Sequence, residues 1–106
     1  MLIFNRSKDF AVYPDTNEVG IGNKIIKLRP KEMGVLQLLL FHSEKTVTRI
    51  ELLEKVWGYT SDTETRTIDN FIARLRKYFE KNPRKPEYII TVREKGYQLL
   101  STPEKK

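Results

Sequence analysis

The spacing of apolar positions changes several times along this chain, and each change predicts an element. From Leu2 to Tyr13 the apolar residues come in short groups, LIF and then FAVY after Asp9, which read as short strands. Pro14-Asp15-Thr16-Asn17 gathers turn formers. Val19 and Ile21 alternate with Glu18, Gly20 and Gly22. Gly22-Asn23 then predicts a tight turn into a further strand at Ile25-Ile26-Lys27-Leu28. A small antiparallel sheet over about residues 2–28, one face against helices, is the expectation. From Pro30 the period lengthens. Met33, Val35, Leu36, Leu39 and Leu40 give a broad helical face, with proline at the first position, where its missing N–H costs nothing. This helix should run to about His42, although Arg29 before it is a poor cap.

Thr48-Arg49-Ile50-Glu51 is a capping box that opens a second helix. Leu52, Leu53, Val56 and Trp57 supply its buried face, and Gly58 is a candidate left-handed terminator. The most regular stretch is Thr65 to Lys81. At about 100° per residue, Ile68, Phe71, Ile72, Leu75 and Phe79 fall on one side of a helix. Arg66, Asn70, Ala73, Arg74, Lys77 and Lys81 fall on the other, so four cations surround an amide and a methyl group. Asn82-Pro83 is the predicted end, because proline disfavours helix in the residue before it. Tyr88 to Val92 is a β-branched run, Arg93-Glu94-Lys95-Gly96 a hairpin connection with glycine where φ is positive, and Tyr97 to Leu100 the return strand. The tail beyond Leu100 should fray.

Sheet, two helices, polar loop, basic helix and hairpin make an α+β chain with the layout of a winged helix-turn-helix. At 106 residues it is one domain by length: sheet about 2–28, three-helix core about 30–82, wing hairpin about 88–100. Charge sharpens the picture. Of the net +6, residues 65–95 hold +5, from nine Lys/Arg against four Asp/Glu. One basic surface for an acidic partner such as nucleic acid follows. The absence of cysteine excludes thiolate metal sites and disulfides and suits a reducing, cytoplasmic compartment. The densest apolar run, Val35 to Phe41, is too short to span a bilayer, and nothing after Met1 reads as a signal peptide. His42 is isolated and reads as a helix-end residue. With no paired carboxylates, Gly-rich phosphate loop or nucleophile beside a base, neither a catalytic site nor a cofactor is expected.

The basic helix would read base edges in the major groove of double-stranded DNA while phosphate contacts position it. Arg74, central on the exposed face, is the first candidate for guanine, and Asn70 for adenine. Lys77, Lys81, Arg76 and Arg49 read as phosphate contacts, Thr67 joins the helix's DNA-facing set, and the wing would bring Thr91, Arg93, Lys95 and Tyr97 to backbone or minor groove.

These residues resemble the OmpR/PhoB class of response-regulator DNA-binding domains. The resemblance lies in LRPKE at 28–32, TRIELLEKVWG at 48–58, RTIDNFIARLRK at 66–77 and TVREKGYQL at 91–99, together spanning nearly all of Asn17 to Leu100. It implies that Arg66, Asn70, Arg74 and Arg76 lie at the DNA, that Thr91, Arg93 and Tyr97 make the hairpin's backbone contacts, and that Trp57 packs near phosphate. It implies that the loop of Gly58, Tyr59, Thr60, Ser61, Asp62, Thr63 and Glu64 meets RNA polymerase. It also implies head-to-tail binding of direct-repeat sites and a phosphorylatable receiver domain upstream. The chain departs from the family pattern at Phe71, where histidine is common, at Ala73, often basic, at Arg29, usually threonine, and at Glu94-Lys95, where glycine and a small residue are preferred. A winged-helix protein–protein module remains the alternative. It predicts an exposed apolar patch in place of the basic face.

Overall fold

The N-terminal alternation folds as a four-stranded antiparallel sheet in the order β1-β2-β3-β4. The strands are β1 (Ile3–Phe4), β2 (Phe10–Tyr13), β3 (Glu18–Ile21) and β4 (Lys24–Lys27). The structure, a computed structural model, describes residues 3–4, 10–59 and 62–100. Val12 lies opposite Val19 in the β2–β3 register, and both are fully buried. The turn between those strands is a single 3-10 turn, Pro14–Thr16, closed by Asn17 in the left-handed region at φ 56°, which asparagine tolerates better than most residues.

Helix α1 (Pro30–Phe41) starts at the proline and ends one residue before His42. A guanidinium has no acceptor, so Arg29 cannot cap its N–H groups. Glu32 completes the other half of a capping box instead: 2% exposed, it accepts the Arg29 backbone N–H at 2.8 Å. Helix α2 (Arg49–Trp57) opens on the expected box. The Thr48 hydroxyl accepts the Glu51 N–H at 3.0 Å, and the Glu51 carboxylate accepts that of Thr48 at 3.3 Å. Of its predicted apolar face only Leu52 is fully buried, while Leu53, Val56 and Trp57 are half-buried. Gly58 sits at φ 105°, ψ 154°, outside the left-handed helical region expected for it, although its N–H still closes on Glu54 O at 2.9 Å.

Helix α3 (Arg66–Phe79) drives Ile68, Ile72 and Leu75 into a core shared with Leu36 and Leu39 of α1 and Leu52 of α2. Phe79 stacks on Phe10 at 4.8 Å between centroids, joining the end of α3 to the first sheet. The helix stops there, short of Lys81 and before Asn82-Pro83 are reached. Glu80 supplies the stop. It turns to extended backbone (φ −90°, ψ 137°) and is 6% exposed. Its carboxylate accepts the backbone N–H groups of Glu87 at 2.8 Å, Tyr88 at 3.0 Å and Ile89 at 2.8 Å. Buried N–H donors left unpaired are costly, so one side chain fixes the whole return from helix to strand.

The hairpin pairs β6 (Ile89–Val92) with β7 (Gly96–Leu99), and a two-residue strand, β5 (Val47–Thr48), adds to β7 from the other side. That third strand is too short to carry a readable alternation. Gly96 has the positive φ expected of it, at 159°, and β5 adds a second demand. The left-handed turn residue is Glu94, at φ 63°. Gly96 is required because a Cβ there would fall 2.1 Å from the Val47 carbonyl oxygen of β5. Among the described residues no helix is long and apolar enough to cross a membrane.

Candidate nucleic-acid interface

The outer face of α3 carries Arg66, Asn70, Ala73, Arg74 and Lys77, all exposed. Arg74 places its guanidinium carbon 4.9 Å from the centre of the Phe71 ring. Stacking of this kind holds the guanidinium plane without using its N–H groups, which suits bidentate hydrogen bonding. Phe71 is itself fixed edge-on by Trp57, with centroids 4.9 Å apart. The half-buried Trp57 carries the Lys31 ammonium 5.7 Å above its ring, and that lysine also donates to Val56 O at 3.0 Å. Thr67 is half-buried beside the first turn, and Lys81 is exposed but lies beyond the helix end. At the wing tip Arg93 and Lys95 are exposed on either side of exposed Glu94.

A second group of predicted contacts has a different setting. Arg76 is half-buried, donating from Nε to Ile89 O and from Nη2 to Thr91 Oγ1, both at 2.9 Å. These bonds fasten α3 to β6 and take up the hydroxyl of Thr91. Burial holds the Arg76 guanidinium below its usual range, against the attraction of Tyr97 and Glu80. Tyr97, 5% exposed, donates to Asp69 Oδ1 at 2.5 Å. The same oxygen accepts Arg49 Nε at 2.7 Å. The Arg49 and Arg76 guanidinium carbons lie 5.5 and 5.7 Å from the Tyr97 ring centre. Arg76 and Tyr97, expected at the DNA, thus also carry the packing between helix and wing.

The charges of this cluster are coupled. Burial pushes the Asp69 carboxyl up, but hydrogen bonds from Tyr97 and Arg49 outweigh it and hold the group below the usual carboxylate range. Burial, then the bond to Asp69, pushes the Tyr97 phenol up. The hydrogen bond to Asp69 raises Arg49 further.

In the loop after α2, Gly58 and Thr63 are half-buried, while Tyr59, Asp62 and Glu64 are exposed. Thr60 and Ser61 lie outside the described residues. The reading from sequence missed Asp69 and Glu80. For Asp69 no local signal existed, since its partners Arg49 and Tyr97 lie 20 and 28 residues away. For Glu80 none did, since its partners are backbone groups seven to nine residues away.

Residues 22–99 match the family described as "Transcriptional regulatory protein, C terminal". Among curated proteins, the chain is 36% identical over 94 residues to the alkaline phosphatase synthesis transcriptional regulatory protein SphR of Synechococcus elongatus. The match covers 89% of this chain and 37% of SphR. The chain thus spans little more than a third of the curated relatives it matches. Among solved structures, the DNA-binding domain of Klebsiella pneumoniae RstA in complex with the RstA box superposes with a TM-score of 0.82 at 30% identity, covering 95% of this chain and 98% of that one. The OmpR/PhoB homologue DrrB of Thermotoga maritima superposes with a TM-score of 0.78 at 34% identity, covering 87% and 42%. The chain, with three helices, an N-terminal sheet and a C-terminal wing, belongs to the transcriptional regulatory protein C-terminal family, the winged-helix DNA-binding domain of OmpR/PhoB-type response regulators.

Proposed function

We propose that this chain binds double-stranded DNA sequence-specifically as a transcriptional regulator, with α3 in the major groove and the wing on the flanking backbone. The observation that carries the reading is the exposed row Arg66, Asn70, Arg74 and Lys77 on a helix whose opposite side is locked in the core. Arg74 takes a guanine edge and Asn70 an adenine edge, while Lys77, Arg66, Arg93 and Lys95 meet phosphates. The loop around Tyr59 is offered to RNA polymerase, a receiver domain belongs to the longer protein, and binding is to direct repeats. Each of these finer points rests on the family resemblance. A protein–protein module would need an apolar surface where α3 presents cations.

Selection of bound duplexes from a random library, followed by footprinting, tests the reading. Two similar half-sites about one helical turn apart support tandem binding. On the selected site, Arg74→Ala should cost about 1–3 kcal/mol and relax one base position, whereas Lys77→Ala should weaken all sequences alike and flatten the salt dependence. Equal loss on selected and random duplex for Arg74→Ala would remove it from base readout. No enrichment at low salt would remove the function.

A further inference from the structure

The Asp69 carboxylate sits on a surface assigned to a polyanion, where its charge alone opposes binding. Its geometry assigns it a use. Oδ1 accepts from two residues far apart in the chain, Arg49 at the first position of α2 and Tyr97 in β7. Arg49 reaches Asp69 through Nε. A guanidinium has five N–H donors in a fixed fork, so after those that meet Asp69 and the Tyr97 hydroxyl, N–H groups on its outer edge remain for another acceptor. The side chain is 36% exposed, and the Tyr97 ring lies 5.5 Å from its guanidinium carbon. A long cation that would otherwise sample many rotamers is therefore clamped by one carboxylate and one ring, the carboxylate standing next to Asn70 in α3 and about one turn from Arg66.

We propose that Asp69 is a positioning residue for DNA binding: it orients Arg49 so that the free edge of its guanidinium meets a backbone phosphate, and through Tyr97 it fixes the wing in the same frame. Asp69 touches no DNA. It acts by removing the conformational freedom that Arg49 would otherwise lose on binding. The acceptor is a phosphate and not a base, since this contact lies at the start of α2, off the row of base-reading candidates. The inference rests on the DNA-binding reading above.

The sign of the effect of an isosteric, charge-removing substitution decides it. Asp69→Asn raises the net charge by one. If Asp69 were only an anion on a basic face, the variant would bind DNA more tightly, with a salt dependence as steep or steeper. Under the proposal it binds a random-sequence duplex about tenfold more weakly, and its plot of log affinity against log salt is shallower by about one, the loss of one phosphate contact. A purely structural role would lower the melting temperature but leave that slope unchanged in the folded fraction.

Two further variants keep the test decisive should Asp69→Asn fold poorly. Arg49→Lys retains the cation but cannot hold a carboxylate with one edge and a phosphate with the other, so it should flatten the slope similarly. In an Arg49→Ala background, adding Asp69→Asn should produce no further loss. Tighter binding by Asp69→Asn, wild-type behaviour of Arg49→Lys, or additive losses in the double variant would each overturn the proposal. Failure of the wild-type protein to bind duplex at low salt would instead overturn the DNA-binding reading itself.

Discussion

Arg74 and Arg76 stand two residues apart on one helix and face different worlds. Arg74 is exposed and stacked on Phe71. Arg76 is half-buried and hydrogen-bonded to the main chain of β6 and to Thr91. Two residues are about 200° of helix, so the pair cannot share a face. The same contrast separates the outer row of α3 from the seam between α3 and the wing. The row is exposed cations around one amide, with Arg74 resting on the Phe71 ring. The seam is cations and anions matched to one another, with Glu80 closing its lower end. A basic helix in sequence thus combines two populations of charge, one offered outward and one holding the domain together.

Substitutions on the two surfaces should separate stability from binding. The largest effect is expected at Glu80. Glu80→Ala removes the acceptor of three backbone N–H groups near the start of β6 and should cost roughly 3 kcal/mol, read as a lower urea midpoint. Arg76→Ala comes next, at about 2 kcal/mol, because it leaves the Ile89 carbonyl without its side-chain donor. Arg74→Ala should move stability by less than about 0.5 kcal/mol while still weakening DNA binding. A melt in which Arg74→Ala and Arg76→Ala lose stability equally would erase the distinction.

The smallest effect is one of pH. The Asp69 carboxyl is held low when folded, so its contribution is present above the ordinary carboxylate range and lost as pH falls through its depressed value. The gap in melting temperature between wild type and Asp69→Asn should therefore close below about pH 4. The Tyr97 phenol is held high, so its contribution is complete below about pH 10 and lost as pH rises through the raised value. Tyr97→Phe should show a weaker alkaline dependence than wild type.

How far such features can be read from sequence follows from the range of the interactions that make them. Local ones were legible. Alternation gave β3, proline at Pro30 gave the start of α1, the Thr48–Glu51 box gave α2, and period 3.6 gave the buried stripe of α3. What escaped depends on distant partners. Glu80 and Asp69 were passed over, because the N–H groups and the phenol that claim them come from beyond the helix, from Glu87 to Ile89 and from β7. Gly96 read as a turn glycine because nothing local announces β5. The outward row was legible, being a matter of helical angle alone. The seam was not, since Arg76 and Lys77 look alike until the wing is folded against one of them.

The two-residue strand β5 ends at Thr48, the residue that caps α2, and it is bonded to β7 with no space for a side chain at Gly96. The base of the wing is therefore stitched to the root of a helix. On the proposed placement of the wing against DNA, that attachment would limit how far it adapts to a duplex of unusual width. A site presenting its backbone at the wrong separation would then have to bend to be held, and sequences too stiff to bend would be discriminated against at base pairs the protein never touches.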